Sequence, residues 1–243
     1  MEGEQMFYAS VFNTFDEEDE DYAIPPRVVS AFETSYLFKE LETFGRMCTT
    51  QSLWIANRPL HLLVLPNTKE WKKPSRELRT MQDFIKTNED FRNGYSRESH
   101  ELAEYIGNLF ADSAHSCLYE ITSRVTHQLL TDSIYAEDVD GIAYPSVKCD
   151  GVGFNICVKP SVVDECIRFQ RATVTMIIKE GMHTTMFQIA NSVTFADGTL
   201  KWMPTEYALQ KLVQYYGQDV LKDANVIEYG EIPKDAVTFF ENE

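Results

Sequence analysis

Two apolar stretches a few residues apart constrain this chain most. Val152, Phe154, Ile156 and Val158 occupy alternate positions, the period of a strand with one face in a core. Ile142-Ala143-Tyr144, just upstream, reads as a short strand, and Asp150-Gly151-Val152-Gly153 reads as a hairpin turn. A slip of one residue would turn the whole apolar set to water, so the register of such a strand is strongly specified. Tyr144, Ser146 and Asn155 lie inside this core-forming sequence. Polar groups there are costly unless they are hydrogen-bonded or used.

The N-terminal part repeats the theme. Residues 6–12 are aromatic and apolar, as expected of a buried strand, and carry Phe7-Tyr8-Ala9-Ser10. Pro25-Pro26 favours a helix start, and Val29, Phe32, Tyr36 and Leu37 recur at helical spacing, which predicts a helix over 26–42. Glu33 falls within that apolar stripe. Residues 52–65 read as strands broken near Asn57-Arg58-Pro59, and helices are expected over 76–91, 97–110 and 115–131. Ser161 with Asp164 resembles a capping arrangement for a short helix through Phe169. Beyond residue 170 the pattern changes to antiparallel strands over 172–180, 184–195 and 199–203, with Asp197-Gly198 as a hairpin turn. A helix over 205–216 follows, with Gly217 just past its end. The expected class is α+β: a mixed-sheet core with flanking helices in residues 1–169, and a C-terminal antiparallel β-hairpin and helix extension in 170–243 packed on it.

Composition narrows the function classes. The chain has 243 residues and a formal charge of −16, which argues against a basic face for nucleic acid or anionic membrane. Part of that charge is the run Asp16-Glu17-Glu18-Asp19-Glu20-Asp21, either a solvated loop or a docking strip for a basic partner. No apolar run approaches the roughly 18 residues of a spanning helix, and the opening residues lack the order of a secretory signal. The five cysteines include no CxxC pair and the five histidines are scattered. A disulfide framework or metal site is therefore not expected, and a reducing cytoplasm is.

Glu33 is the sharpest candidate. A carboxylate there, near a strand tyrosine and serine, suits a hydrogen bond from a ribose hydroxyl or stabilisation of positive charge on a sugar ring. The competing reading is a rim glutamate that reaches out to water or pairs with an arginine such as Arg27 or Arg46. Ser146 follows Tyr144-Pro145, and proline holds the residue before it extended, so the strand ends with a hydroxyl that serves a ligand or a turn. Tyr8 is either a stacking surface for a nicotinamide or adenine ring or a core tyrosine. The sequence lacks a GxSxG elbow and the GxGxxG and GxxxxGK[ST] phosphate loops.

These motifs resemble the RES-domain family, whose fold is related to ADP-ribosyltransferases. Asp140-Gly141-Ile142-Ala143-Tyr144-Pro145-Ser146-Val147, continuing through Asn155 to Lys159-Pro160, is similar to the family's serine motif. Gln5-Met6-Phe7-Tyr8-Ala9-Ser10 and Phe32-Glu33-Thr34-Ser35 resemble its tyrosine and glutamate stretch. The likeness spans residues 3–169. It implies catalytic roles for Glu33 and Ser146 and a ligand surface of Tyr8, Ser10, Tyr144 and Asn155. It also implies a cytoplasmic toxin with NAD and phosphate as substrates, no cofactor, and an antitoxin protein as partner. Members phosphorolyse NAD or transfer ADP-ribose to a protein. The family's pyrophosphate-binding arginines lie upstream of the tyrosine, whereas no arginine precedes Tyr8 here and the first is Arg27. The expectation is therefore an ADP-ribosyltransferase-like core, N-terminally incomplete, with weak or no NAD-degrading activity. The alternative is a catalytically inactive interaction or ligand-binding module.

Overall fold

The alternating run folds as a strand from Phe154 to Val158 inside a sheet, with Val152 in the preceding turn and both strand faces buried in place of the one expected. The computed structural model describes residues 6–11, 24–38, 44–65, 70–71, 74, 76–87, 97–110, 117–132, 136–194 and 200–220. Among them are six α-helices and two four-stranded sheets, an α+β architecture. The chain divides into two compact units, Met1–Thr34 with Ala56–Ile167, and Ser35–Ile55 with Arg168–Glu243.

The first unit holds β1 (Phe7–Val11), β3 (Leu62–Val64), β4 (Gly141–Pro145) and β5 (Phe154–Val158) in the order β1-β5-β4-β3. β5 is antiparallel to both neighbours and β3 is parallel to β4, so the sheet is mixed. Successive side chains point to opposite faces. On one face Phe7, Ala9, Val11, Ala143, Ile156 and Val158 meet α5 (Pro160–Cys166) through Val162 and Cys166. On the other, Ile142 and Cys157 meet Ile106 and Phe110 of α3 (Arg97–Phe110) and Leu130 of α4 (Cys117–Thr131). α2 (Arg76–Thr87) buries Leu78 beside Trp71, with Val147 and Phe154 packed against them. Gly141 has no alternative here, because a Cβ would lie 2.2 Å from the Cys157 carbonyl oxygen.

The second unit is built on β2 (Phe44–Ala56), β6 (Ile167–Glu180), β7 (His183–Thr194) and β8 (Leu200–Pro204), in that sheet order. β6, β7 and β8 pair antiparallel. Val174, Met176, Ile178 and Ile189 form its core with Leu209 and Leu212 of α6 (Glu206–Tyr216). Gly217 closes that helix with φ 77, its N–H donating to the Val213 carbonyl at 2.8 Å.

Four local expectations change. The short helix after Lys159 ends at Cys166 and not at Phe169, because Ile167 already begins β6. The helix from residue 26 ends at Thr34, and α1 is Pro26–Thr34, followed by a 3-10 turn at Tyr36–Phe38. The buried Ser35 explains the break, since its Oγ accepts the Leu37 N–H at 3.1 Å and offers the backbone a local alternative to helix. Ser161 does not cap α5. The N-cap is Lys159, without a side-chain cap bond, and Pro160 starts the helix. The stretch 52–65 divides between β2, which begins at Phe44, and β3. The acidic run 16–21 and the turn at Asp197-Gly198 lie outside the described residues.

Candidate functional site

The site forms where β4 and β5 meet α1. The register places Ser10, Asn155 and Tyr144 directly opposite one another across β1, β5 and β4. They alternate with Ala9, Ile156 and Ala143, which face the α5 side, so the row of polar side chains belongs to the other face. α1 is held close to the β4–β5 loop. Gly153 has φ 142, and a Cβ there would stand 3.0 Å from Val29 Cγ2, so the residue best suited to that backbone also permits the approach. Glu33 lies one turn beyond Val29 on the same helix.

Glu33 is half-buried and accepts three hydrogen bonds at one oxygen, Oε1. The Ser146 hydroxyl donates at 2.6 Å, the Asn155 amide Nδ2 at 3.2 Å and the Lys148 backbone N–H at 3.4 Å. Among the described residues no hydrogen bond reaches Oε2. Neutral donors thus meet Glu33, in place of the arginine partner its position left open.

Ser146 is fully buried, and its loop explains why. Its N–H donates to the Gly153 carbonyl at 2.8 Å and its carbonyl accepts the Gly151 N–H at 2.9 Å, a tight turn at the strand end. The Ser146 Oγ also accepts the Cys149 N–H at 3.2 Å. Burial raises the Cys149 thiol above its ordinary value, opposed by its hydrogen bond with Ser146 and reinforced by the negative charge of Glu33. At the far side of Asn155, the Ser10 hydroxyl donates to Oδ1 at 2.7 Å.

Four of the six candidate side chains, Glu33, Ser146, Asn155 and Ser10, are therefore joined in one hydrogen-bonded network. The two tyrosines flank it. Tyr144 packs on Phe110, ring centroids 5.5 Å apart. Tyr8 is 51% exposed and stands opposite Cys157 in the β1–β5 ladder. Burial pushes the Cys157 thiol up to about 11, with Tyr8 acting in the other direction.

Two contributions were not visible in the sequence. One is the pair of backbone N–H groups of Lys148 and Cys149, which carry no residue-type signal. The other is Arg58, whose Nη1 and Nη2 grip Asp140 at 2.7 and 3.0 Å while Nε meets Glu165 at 3.3 Å. Asp140 also accepts the His61 N–H at 2.7 Å, which anchors the start of β4 beside β3. The Arg58 hydrogen bond is the main cause holding the Asp140 carboxyl below its ordinary range. This clamp lies at the end of β4 opposite Ser146 and supports the strand.

Among the described residues no three His, Cys, Asp or Glu side chains are placed to hold a metal ion, and no helix is long and apolar enough to cross a membrane. Compared with models of protein families, with curated proteins and with solved structures, the chain matches none.

Proposed function

We propose that this protein acts on NAD in the manner of RES-domain proteins, cleaving the bond between nicotinamide and ribose with Glu33 as the group that faces the sugar. The observation that carries the reading is the one-sided bonding of Glu33. Two side chains and a backbone N–H hold Oε1, and among the described residues none bonds Oε2, which stands as an oriented acceptor. In the proposed reaction the ribose C–N bond breaks and its electron pair leaves with nicotinamide, neutralising the pyridinium charge. The ribosyl carbon gains oxocarbenium character until a phosphate oxygen, or a nucleophile on a protein, forms the new bond. A carboxylate fixed beside that ribose interacts more strongly with the positive transition state than with the ground state, which is the condition for rate acceleration.

In this scheme Ser146 is the group that holds Glu33, and among the described residues no histidine joins its hydrogen-bond network. Tyr8, exposed on the same sheet face, offers a ring for stacking against nicotinamide or adenine. The expected setting is cytoplasmic, with an antitoxin as protein partner. The test is nicotinamide release from NAD with phosphate, by the parent protein and by Glu33→Gln. The reading expects weak release by the parent, whose first arginine is Arg27, and a fall of at least about a hundredfold in the variant, the scale of removing one electrostatic stabiliser. Equal release by both removes Glu33 from the chemistry. Binding of NAD without release makes the protein a ligand-binding module.

A further inference from the structure

We infer that Ser10 is a positioning residue, which acts on Glu33 through Asn155 without touching the substrate. This rests on the reading of Glu33 as the sugar-facing carboxylate. Ser10 and Asn155 are direct cross-strand partners in the β1–β5 ladder, so their side chains stand side by side on one face. The Ser10 hydroxyl donates to Asn155 Oδ1 at 2.7 Å, and the other end of the same amide donates from Nδ2 to Glu33 Oε1 at 3.2 Å. Asn155 is 7% exposed, so each of its polar atoms depends on protein partners. An amide held at both ends cannot swing away from the carboxylate. Electron withdrawal at Oδ1 also makes the N–H a better donor, since hydrogen bonds in a chain polarise one another.

A second chain reaches the same oxygen from the loop, with Cys149 N–H donating to Ser146 Oγ and Ser146 O–H donating to Glu33 Oε1. The two chains arrive from β5 and from the β4–β5 loop. Losing the Ser10 end therefore leaves Glu33 bonded but less narrowly oriented. The consequence is a loss in the reacting step and not in substrate affinity.

The experiment uses the full chain with Ser10→Ala, Ser10→Thr and Asn155→Ala. The Asn155 side-chain amide is followed by ¹⁵N NMR, its signals assigned by their disappearance in Asn155→Ala. Ser10→Ala is expected to move both amide proton shifts toward free-amide values, and Ser10→Thr to restore them. In nicotinamide release from NAD, Ser10→Ala is expected to lower kcat about fivefold to tenfold with KM within about twofold, the scale of one hydrogen bond. Ser10→Thr should recover most of the rate. Unchanged Asn155 signals in Ser10→Ala overturn the relay whatever the activity. So does a rise in KM at constant kcat, which would make Ser10 a substrate contact. Shifted and threonine-restored signals in a protein that releases no nicotinamide support the relay and count against the NAD reading alone.

Discussion

Removal of the Ser146 hydroxyl is the most informative perturbation of the site. Ser146 is fully buried, donates to Glu33 at 2.6 Å and accepts from the Cys149 N–H at 3.2 Å. Ser146→Ala deletes a hydrogen bond to a charged group, worth about 1.5–3 kcal/mol, and orphans a buried N–H, which costs about 1–3 kcal/mol. Glu33 is half-buried and keeps its bonds from Asn155 and the Lys148 N–H, so water and these partners recover part of the loss. The expected cost is about 2–3 kcal/mol, or about 5–10 °C in Tm for a chain of this size.

The assay is guanidinium unfolding followed by Trp71 fluorescence in a Trp54→Phe, Trp202→Phe background, because Trp71 is then the one tryptophan left and lies in the first unit. A double-mutant cycle with Glu33→Ala isolates the pair, and its coupling should be about 1–2 kcal/mol. A Ser146→Ala protein within about 0.5 kcal/mol of its parent, the range of an ordinary surface substitution, would refute the reasoning. So would a coupling near zero.

Other consequences follow from the same geometry. Gly141→Ala forces a Cβ to within 2.2 Å of the Cys157 carbonyl and should cost more than about 3 kcal/mol or prevent folding, read by the same unfolding curves. Gly153→Val places a branched side chain at φ 142 against Val29, so it should displace α1 and lower nicotinamide release more than NAD binding. Asp140 is held below its ordinary 3.8 chiefly by its bond to Arg58. The unfolded chain takes up this proton first as pH falls, so the clamp's contribution is full above about pH 4 and is lost through the lower folded value. Acid unfolding of Asp140→Asn should lack this component. Burial pushes the Cys48 and Cys157 thiols up to about 11 from 9.0. Between those values the unfolded chain ionises first, stability falls as pH rises, and Cys157→Ala should flatten that slope for the first unit in urea titrations.

How much of this was readable in advance depended on whether the signal was local. The existence of β5, α3 and α4 was legible because their apolar residues recur at strand or helix spacing, but the depth of burial was not, since Leu102 and Ile121 are exposed and β5 is buried on both faces. Glu33 stood out because a carboxylate within an apolar stripe demands a partner, and Ser146 because a proline fixes the strand exit before it. The end of α1 was not legible. It depends on Ser35 satisfying the Leu37 N–H, a geometry that spacing does not encode. The placement of β2 beside β6 was equally hidden, since its neighbour lies more than a hundred residues away. The Arg58–Asp140 clamp joins residues 82 apart, with nothing in either neighbourhood to suggest the other.

The most direct measurement is a crystal structure of Glu33→Gln, which keeps the shape of the site and slows turnover, with NAD bound. The account predicts a hydroxyl of the nicotinamide ribose within about 3 Å of the substituted side chain, on the side away from Ser146 and Asn155. NAD seated elsewhere, or no NAD bound at millimolar concentration, would contradict it.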